Sequence, residues 1–98
     1  MNKEELKAYR SQIVALAKRY HAPNIRVFGS TVREDNTRQS DVDFLIDVSP
    51  EQSLLDLIAF TRELKELLGC DVDVAQSSVL QPVIHDVVLR EAVTLDSL

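Results

Sequence analysis

The fold of this chain is decided by the stretch at residues 25–43, which reads IRVFGSTVREDNTRQSDVD. It begins with a short β-rich run that ends at Gly29-Ser30, where Ser30 can cap a new helical turn. A polar loop follows, and a second β-rich run then carries Asp41 and Asp43. The first piece has the character of a phosphate cradle, and the second has that of a pair of metal ligands.

Asp41 and Asp43 are two residues apart on a predicted strand, so both side chains point to the same face. Two neighbouring carboxylates repel each other, and a divalent cation removes that cost. Mg²⁺ prefers hard oxygen ligands and commonly takes one or two carboxylates together with substrate phosphates. A similar pair recurs at Asp71 and Asp73 on a third predicted strand. The alternative is that these aspartates form only the solvated face of a half-exposed strand.

The Gly29-Ser30 turn is the second part of the candidate site. A glycine lets backbone N–H groups approach a phosphate closely, and a helix N-terminus favours an anion. Arg33 follows within the next turn and can contact phosphate, although an exposed helical arginine is the simpler explanation. Combined with two strands that carry carboxylates, this turn predicts an enzyme that handles a nucleoside triphosphate.

Helical and strand patterns alternate along the chain, whose 98 residues fit one small domain spanning residues 1–98. Apolar spacing and turn signals predict helices at 2–20, from 49–52 to 69 and at 80–91. Strands are predicted at 25–28, 41–48, 70–75 and 93–95, the last as a short edge strand. This alternation predicts an α+β fold, layered as in α/β proteins, in which helices cover a small sheet. Strand order and direction do not follow from the pattern.

The predicted second helix starts at Ser49-Pro50, because proline suits the first helical position. Its buried stripe is expected to consist of Leu54, Leu57, Ile58, Leu64 and Leu68, and Gly69 is a natural C-terminal cap. Other apolar residues of the helices lie outside that stripe: Leu55, Phe60, Leu67 and Leu89. They either widen the surface that faces the core or form a patch that docks a helical protein.

Composition and charge exclude several classes of protein. The net charge is −5, and no basic stripe is present to neutralise phosphates, which argues against binding of duplex nucleic acid. No apolar stretch approaches the roughly 20 residues that a membrane span needs, and the N-terminus lacks the apolar core of a signal peptide. We therefore expect a cytoplasmic protein that does not enter membranes. Cys70 is the only cysteine, which rules out an internal disulfide or a cysteine zinc cluster.

One family shares the central motif, in which Gly29-Ser30 is followed after ten residues by Asp41-Val42-Asp43. This arrangement resembles the signature of the DNA polymerase β-like nucleotidyltransferase superfamily. The size and layout are similar to those of its minimal nucleotidyltransferase branch, the MntA-like antitoxins. The resemblance covers nearly the whole chain, including VDV at 72–74 and LREAVTL at 89–95. It implies a polymerase β palm-like core built on a small mixed sheet.

The resemblance implies a catalytic and metal-binding role for three carboxylates. Asp41 and Asp43 would bind Mg²⁺. Asp73 would be the third carboxylate of the metal site and would help to deprotonate the attacking hydroxyl. Asp73 is preferred to Asp71 because it matches the Val-Asp-hydrophobic run of the family and lies deeper in the predicted strand.

The resemblance also implies nucleotide-binding residues. Gly29 and Ser30 would hold the triphosphate, and Arg33 is a further candidate for contact with it. Many members of the family have a glycine soon after the Gly-Ser turn, where this chain has Glu34. A negative side chain at that position puts the conformation of the loop in question, but not the metal site.

The implied reaction is Mg²⁺-dependent transfer of AMP from ATP to a protein hydroxyl. By resemblance, the acceptor would be a tyrosine of a helical HEPN-type toxin ribonuclease, so that the protein would be the antitoxin of a hetero-oligomeric toxin–antitoxin pair. One alternative is a non-catalytic antitoxin that inhibits its partner by contact alone. Another is nucleotidyl transfer to a small molecule or an RNA end, which the lack of an extra domain and of a basic surface disfavours.

Overall fold

The computed structural model describes residues 3–28, 42–77, 90 and 92–95. Within these residues the elements are α1 (Lys3–Lys7), α2 (Arg10–Arg19), β1 (Arg26–Phe28), β2 (Val42–Ile46), α3 (Leu54–Leu68), β3 (Val72–Gln76) and β4 (Val93–Thr94). The predicted capping turn at Ser30, the loop at 34–40 and nearly all of the helix at 80–91 lie outside the described residues. None of the described helices is long and apolar enough to cross a membrane.

The strands form one mixed sheet in the order β3-β2-β1-β4. β1 pairs antiparallel with β2 on one side and with β4 on the other, whereas β2 and β3 are parallel. The chain between the parallel strands contains α3, as expected for a connection that must cross back over the sheet. The prediction of an α+β fold with helices on a small mixed sheet is confirmed, and β4 is the predicted short strand near the C-terminus.

The core lies between the helices and one face of this sheet. On β2, Val42, Phe44 and Ile46 are all fully buried, as strand alternation predicts. Leu45, on the opposite face, is also fully buried, so that face is covered at this position too. Among the described residues, the main apolar cluster comprises Leu6, Ile13, Ala17, Ala22, Val27, Val42, Phe44, Ile46, Phe60, Leu64, Leu68, Val72 and Leu95.

The prediction of one helix at 2–20 is wrong, because the helix is divided into α1 and α2. The division is a tight turn in which the Tyr9 N–H donates to the Leu6 carbonyl at 3.0 Å. Such a turn keeps nearly helical spacing, so the apolar pattern continues through it without an interruption. Leu6 and Ile13 are both fully buried on either side of it. The predicted stop at 21–24 is confirmed, with His21 in the left-handed region at φ 56°.

The predicted start of the second helix at Ser49-Pro50 is also wrong, since α3 begins at Leu54. Ser49 instead accepts the Gln52 N–H at 3.1 Å through its carbonyl, which closes a turn before the helix. The helix is capped by Ser53, whose Oγ accepts the Asp56 N–H at 3.1 Å, while Asp56 Oδ2 accepts the Ser53 N–H at 3.1 Å. This reciprocal capping box satisfies two N–H groups that the helix leaves free, and it decides where α3 starts.

The predicted C-terminal cap of this helix is confirmed. Gly69 has φ 68°, in the left-handed region that glycine occupies without steric cost, and its N–H donates to the Lys65 carbonyl at 2.8 Å.

The buried stripe of α3 differs from the predicted one. Leu64 and Leu68 are buried as expected, but Leu54 and Ile58 are 72% and 54% exposed. Phe60, predicted to lie outside the stripe, is fully buried. The apolar residues of this helix are compatible with more than one stripe, and packing selects the one that buries the large aromatic ring. Of the four residues of the predicted docking patch, Leu55 is exposed, Phe60 is buried, Leu67 is half-buried against the core, and Leu89 lies outside the described residues.

Candidate active site

β2 and β3 bring two of the predicted carboxylates to neighbouring positions. The strands are parallel, and Asp43 is the register partner of Asp73. Adjacent strands lie about 4.8 Å apart, and partner residues point to the same face of the sheet. The structure therefore places the side chains of Asp43 and Asp73 next to each other on the face opposite Val42 and Phe44. Their roles in metal binding and catalysis remain predictions.

The two aspartates differ in their surroundings. Asp43 lies on an inner strand, is partly buried, and has Phe28 of β1 as its partner on the side away from Asp73. Asp73 lies on β3, at the end of the strand order, and is exposed. Asp73 is therefore the more accessible of the two aspartates to a second molecule.

Asp71, the alternative third carboxylate, directly precedes β3. Its carbonyl accepts the Val42 N–H at 3.1 Å, which starts the pairing of β3 with β2. Its side chain is exposed, and strand alternation puts it on the same face as Asp73. Asp73, not Asp71, is the residue directly beside Asp43, which supports the preference for Asp73.

Several predicted site residues lie outside the described part of the chain: Gly29, Ser30, Arg33, Glu34 and Asp41. The described residues nearest to them in sequence are Phe28 and Val42, and both are next to Asp43. Phe28 is its cross-strand partner and Val42 precedes it in β2. The segment that contains the Gly-Ser motif and Asp41 therefore leaves β1 after Phe28 and enters β2 at Val42, two residues that are both neighbours of Asp43.

The carboxylate pair fits the donor set of a magnesium site. Asp43 and Asp73 offer hard oxygen donors at neighbouring positions, and Asp41 is two residues before Asp43 in the sequence. Mg²⁺ is usually held by one or two carboxylates and completes its shell with water and substrate phosphate. Within the described residues, no group of three or more His, Cys, Asp or Glu side chains is arranged to hold a metal ion. Mg²⁺ does not need a site in which every ligand comes from the protein, so the carboxylate pair is a suitable set of protein ligands for this ion.

Asp47, on the same face as Asp43, has a structural role that the sequence did not reveal. Its Oδ2 accepts a hydrogen bond from Asn24 Nδ2 at 2.9 Å, and its Oδ1 accepts from Arg26 Nη2 at 2.6 Å and Ser77 Oγ at 3.2 Å. The Asn24 hydrogen bond lowers the pKa of the Asp47 carboxyl most; desolvation opposes it, and the charge of Arg26 adds to the lowering. Asp47 therefore ties the entry of β1 to the segments that follow β2 and β3.

Comparison with known proteins establishes the family. The family model of the nucleotidyltransferase domain matches residues 10–95. The chain belongs to the nucleotidyltransferase family. The match includes the region from the Gly-Ser motif to β4, so the resemblance expected from the sequence is confirmed, and the chain is an enzyme of this class.

Curated relatives agree with this assignment. A protein of Methanocaldococcus jannaschii, provisionally named a protein adenylyltransferase, is 34% identical over 93 residues, which cover 95% of this chain and 97% of that protein. The protein adenylyltransferase MntA of Thermococcus cleftensis is 42% identical over 78 residues, which cover 80% of this chain and 79% of MntA. Both alignments extend over most of each protein.

Solved structures confirm the fold. A structure provisionally described as that of a minimal nucleotidyltransferase matches with a TM-score of 0.85 and 36% identity, over 95% of each chain. The structure of a toxin–antitoxin with AMP-PNP matches with a TM-score of 0.74 and 20% identity, over 88% of this chain and 71% of that one. The second likeness, at this low identity, concerns the fold alone. The minimal nucleotidyltransferase architecture predicted from the sequence is therefore confirmed.

Proposed function

We propose that this nucleotidyltransferase transfers AMP from ATP to a hydroxyl group of another protein. The observation that carries the proposal is the register pairing of Asp43 with Asp73 on the parallel strands β2 and β3. It puts two carboxylates side by side in a chain of this family, as a metal-dependent phosphoryl-transfer site requires. The relatives named as protein adenylyltransferases support a protein as the acceptor.

Asp41, Asp43 and Asp73 would hold Mg²⁺ in this proposal. The ion, when bound, neutralises charge on the triphosphate and on the departing pyrophosphate. Asp73 is exposed at the end of the strand order, where an incoming hydroxyl can reach it, and it accepts the proton of that hydroxyl. The acceptor oxygen then forms a bond to the α-phosphorus of ATP, and the bond from that phosphorus to the pyrophosphate oxygen breaks.

Gly29, Ser30 and Arg33 would bind the triphosphate. In the sequence, Gly29 directly follows Phe28, and Phe28 is the cross-strand partner of Asp43, which supports this assignment. Backbone N–H groups at such a glycine turn bind phosphate oxygens without adding positive side chains. This mode of binding suits a chain whose net charge is −5.

The acceptor we propose is a tyrosine of a HEPN-type toxin, modified within a toxin–antitoxin complex in the cytoplasm. A solved toxin–antitoxin structure with AMP-PNP has the same fold as this chain, which is the support for a toxin partner and for an adenine nucleotide. Attachment of AMP would add a bulky anion to the toxin and thereby silence it. The antitoxin would then act as an enzyme and not only as a bound inhibitor.

Intact-mass spectrometry tests this function. The protein is incubated with ATP, Mg²⁺ and the product of the neighbouring gene, which the proposal expects to be a helical toxin, and the masses of both chains are then recorded. The proposal predicts the addition of AMP to the neighbour, and no addition when Asp43→Asn replaces the wild type or when EDTA removes the metal. A stable complex without any mass change would instead favour inhibition by contact. Modification of a small molecule or an RNA end, with the neighbouring gene's product unmodified, would contradict a protein acceptor and favour that other acceptor.

A further inference from the structure

β3 has one side that does not face another strand in the described part of the chain. In the order β3-β2-β1-β4, its strand neighbour there is β2. The Asp71 carbonyl accepts the Val42 N–H, so the backbone groups of Asp71 and Asp73 face β2. Because these groups alternate in direction along a strand, the N–H and C=O groups of Val72 and Val74 face away from β2.

A groove of about 500 Å³ runs between β3 and α3. Its walls include Val72, Asp73 and Val74 from the strand and Ile58, Arg62 and Lys65 from the helix. Asp73 is thus common to the groove and to the carboxylate pair. A molecule held in this groove lies next to the candidate active site and leaves the face of Asp43 open to a nucleotide.

The helical wall of the groove combines exposed apolar surface with two cations. Ile58 is 54% exposed, and Leu54, one turn earlier, is 72% exposed. Arg62 and Lys65 continue the same stripe of α3, and both are exposed. Neither forms an ion pair with any residue that the structure describes. The chain has a net charge of −5, so these two cations beside an apolar surface differ in sign from the protein as a whole.

We propose that this groove binds an acidic segment of the acceptor protein and thereby presents the neighbouring hydroxyl to Asp73, an inference that rests on the proposed transfer to a protein. The segment carries a carboxylate for Arg62 and Lys65 and an apolar side chain for Ile58. The outward backbone groups of β3 can pair with it as with an added strand. Asp73 repels a further acidic side chain, which favours an uncharged hydroxyl residue at that end of the groove.

Nucleic acid is the other polyanion that cations can attract, and the groove suits it less well. Exposed Leu54 and Ile58 contribute nothing to contact with a phosphate backbone, whereas apolar surface with charges at its margin is typical of protein interfaces. Arg62 and Lys65 also fall short of the basic stripe that neutralises successive phosphates.

Peptide binding tests the groove independently of catalysis. The probe is a fluorescein-labelled peptide in which glutamate and leucine alternate around a central tyrosine. It is compared with the same peptide carrying lysine for glutamate and with an RNA oligonucleotide of equal length. Binding is followed by fluorescence anisotropy and mapped by amide chemical shifts. We expect the acidic peptide to bind most tightly and to shift the amides of Val72 and Val74.

Charge reversal identifies the cations responsible. Arg62→Glu combined with Lys65→Glu should weaken binding of the acidic peptide by roughly tenfold or more, since two attractions become repulsions. The matched control is Lys7→Glu combined with Lys18→Glu, which changes the net charge equally at exposed positions outside the groove and should change affinity little. Arg62→Gln with Lys65→Gln should weaken binding to a smaller degree. An equal loss in the control, shifts mapped elsewhere, or tighter binding of RNA would overturn the inference.

A kinetic comparison separates this inference from the proposed function. With the neighbouring gene's product as acceptor, the Arg62 and Lys65 variant should raise the KM for the acceptor roughly tenfold and leave the KM for ATP unchanged. Transfer to protein with an unchanged KM for the acceptor would contradict the proposed role of the groove and would leave the proposed function standing. Peptide binding in the groove without transfer of AMP to any protein would contradict the proposed function and would leave the peptide-binding groove standing.

Discussion

Asp43 and Asp47 lie on one face of the same extended segment, and they differ in their neighbours. Asp43 has a second carboxylate, that of Asp73, directly beside it on β3. Asp47 is surrounded by donors, with Asn24 on one carboxylate oxygen and Arg26 on the other. The hydrogen bonds that Asp47 accepts stabilise the fold, whereas the adjacent carboxylates of Asp43 and Asp73 form the arrangement that we propose binds a cation. The residue type alone does not distinguish these two outcomes.

Replacement of Asp73 by asparagine should abolish transfer and spare most nucleotide binding. A group that accepts a proton is needed in the chemical step, so its loss should appear in the single-turnover rate at saturating ATP. Asp71→Asn is the matched control, because Asp71 precedes Asp73 on the same face but is not the register partner of Asp43. We expect it to change the rate little. The opposite ranking of the two variants would move the role to Asp71.

Asp47→Ala should lower the free energy of unfolding by about 1–2 kcal/mol at pH 7, because it leaves Arg26, whose side chain is only 13% exposed, without its carboxylate partner. The pKa of Asp47 in the folded state is lower than its ordinary value of 3.8, so its stabilising contribution is present above that pH and is lost as the pH falls further. Denaturant unfolding at pH 7 and pH 3 measures both effects. A difference between wild type and variant that stays constant over this range would contradict the assignment.

At the scale of the elements, features set by adjacent residues can be predicted from the sequence, whereas features set by long-range packing cannot. Alternation along β2 correctly predicts that Val42, Phe44 and Ile46 are buried, because that pattern is local to the strand. It does not predict that Leu45, on the opposite face, is buried as well, nor that the strand ends at Ile46 and leaves Val48 52% exposed. The pairing of Asp43 with Asp73 does not follow from sequence, since register between strands thirty residues apart depends on how α3 crosses the sheet. The buried stripe of α3 could not be chosen for a related reason: several stripes are apolar, and contact with the sheet and α2 decides among them.

The start of α3, in contrast, has a sequence signal that outweighs the proline. Ser53 and Asp56 form the serine–acidic spacing of a capping box. Ser53→Ala should therefore lower the free energy of unfolding by about 1 kcal/mol. Ser49→Ala, at the predicted but incorrect start, should cost clearly less, since the Ser49 hydroxyl accepts the Glu51 N–H at 3.2 Å in an exposed turn and does not cap a helix. Thermal or denaturant unfolding of the two variants compares them directly, and a larger cost at Ser49 would contradict the assignment of the cap.

At the scale of the whole molecule, the two described carboxylates of the proposed site, Asp43 and Asp73, lie where β2 and β3 adjoin. One side of this junction carries the carboxylate pair, and the groove beside α3 reaches the same Asp73. The chain as a whole is acidic, so in the proposed function a metal ion, backbone N–H groups and Arg33 would attract the triphosphate, while Arg62 and Lys65 would attract the acidic segment of the acceptor. If both proposals hold, the nucleotide and the acceptor segment approach Asp73 from the two sides of β3.

The position of the metal is the central claim, and paramagnetic broadening measures it without an acceptor. Mn²⁺ with ATP is titrated into ¹⁵N-labelled protein as a substitute for Mg²⁺, and the loss of each amide signal is followed. We predict that the signals of Asp41, Asp43 and Asp73 are lost first, that EDTA restores them, and that Asp43→Asn removes the effect at low Mn²⁺. Broadening centred on other acidic residues, such as Glu63 and Glu66 of α3, or an unchanged pattern in the Asp43 variant, would contradict the account.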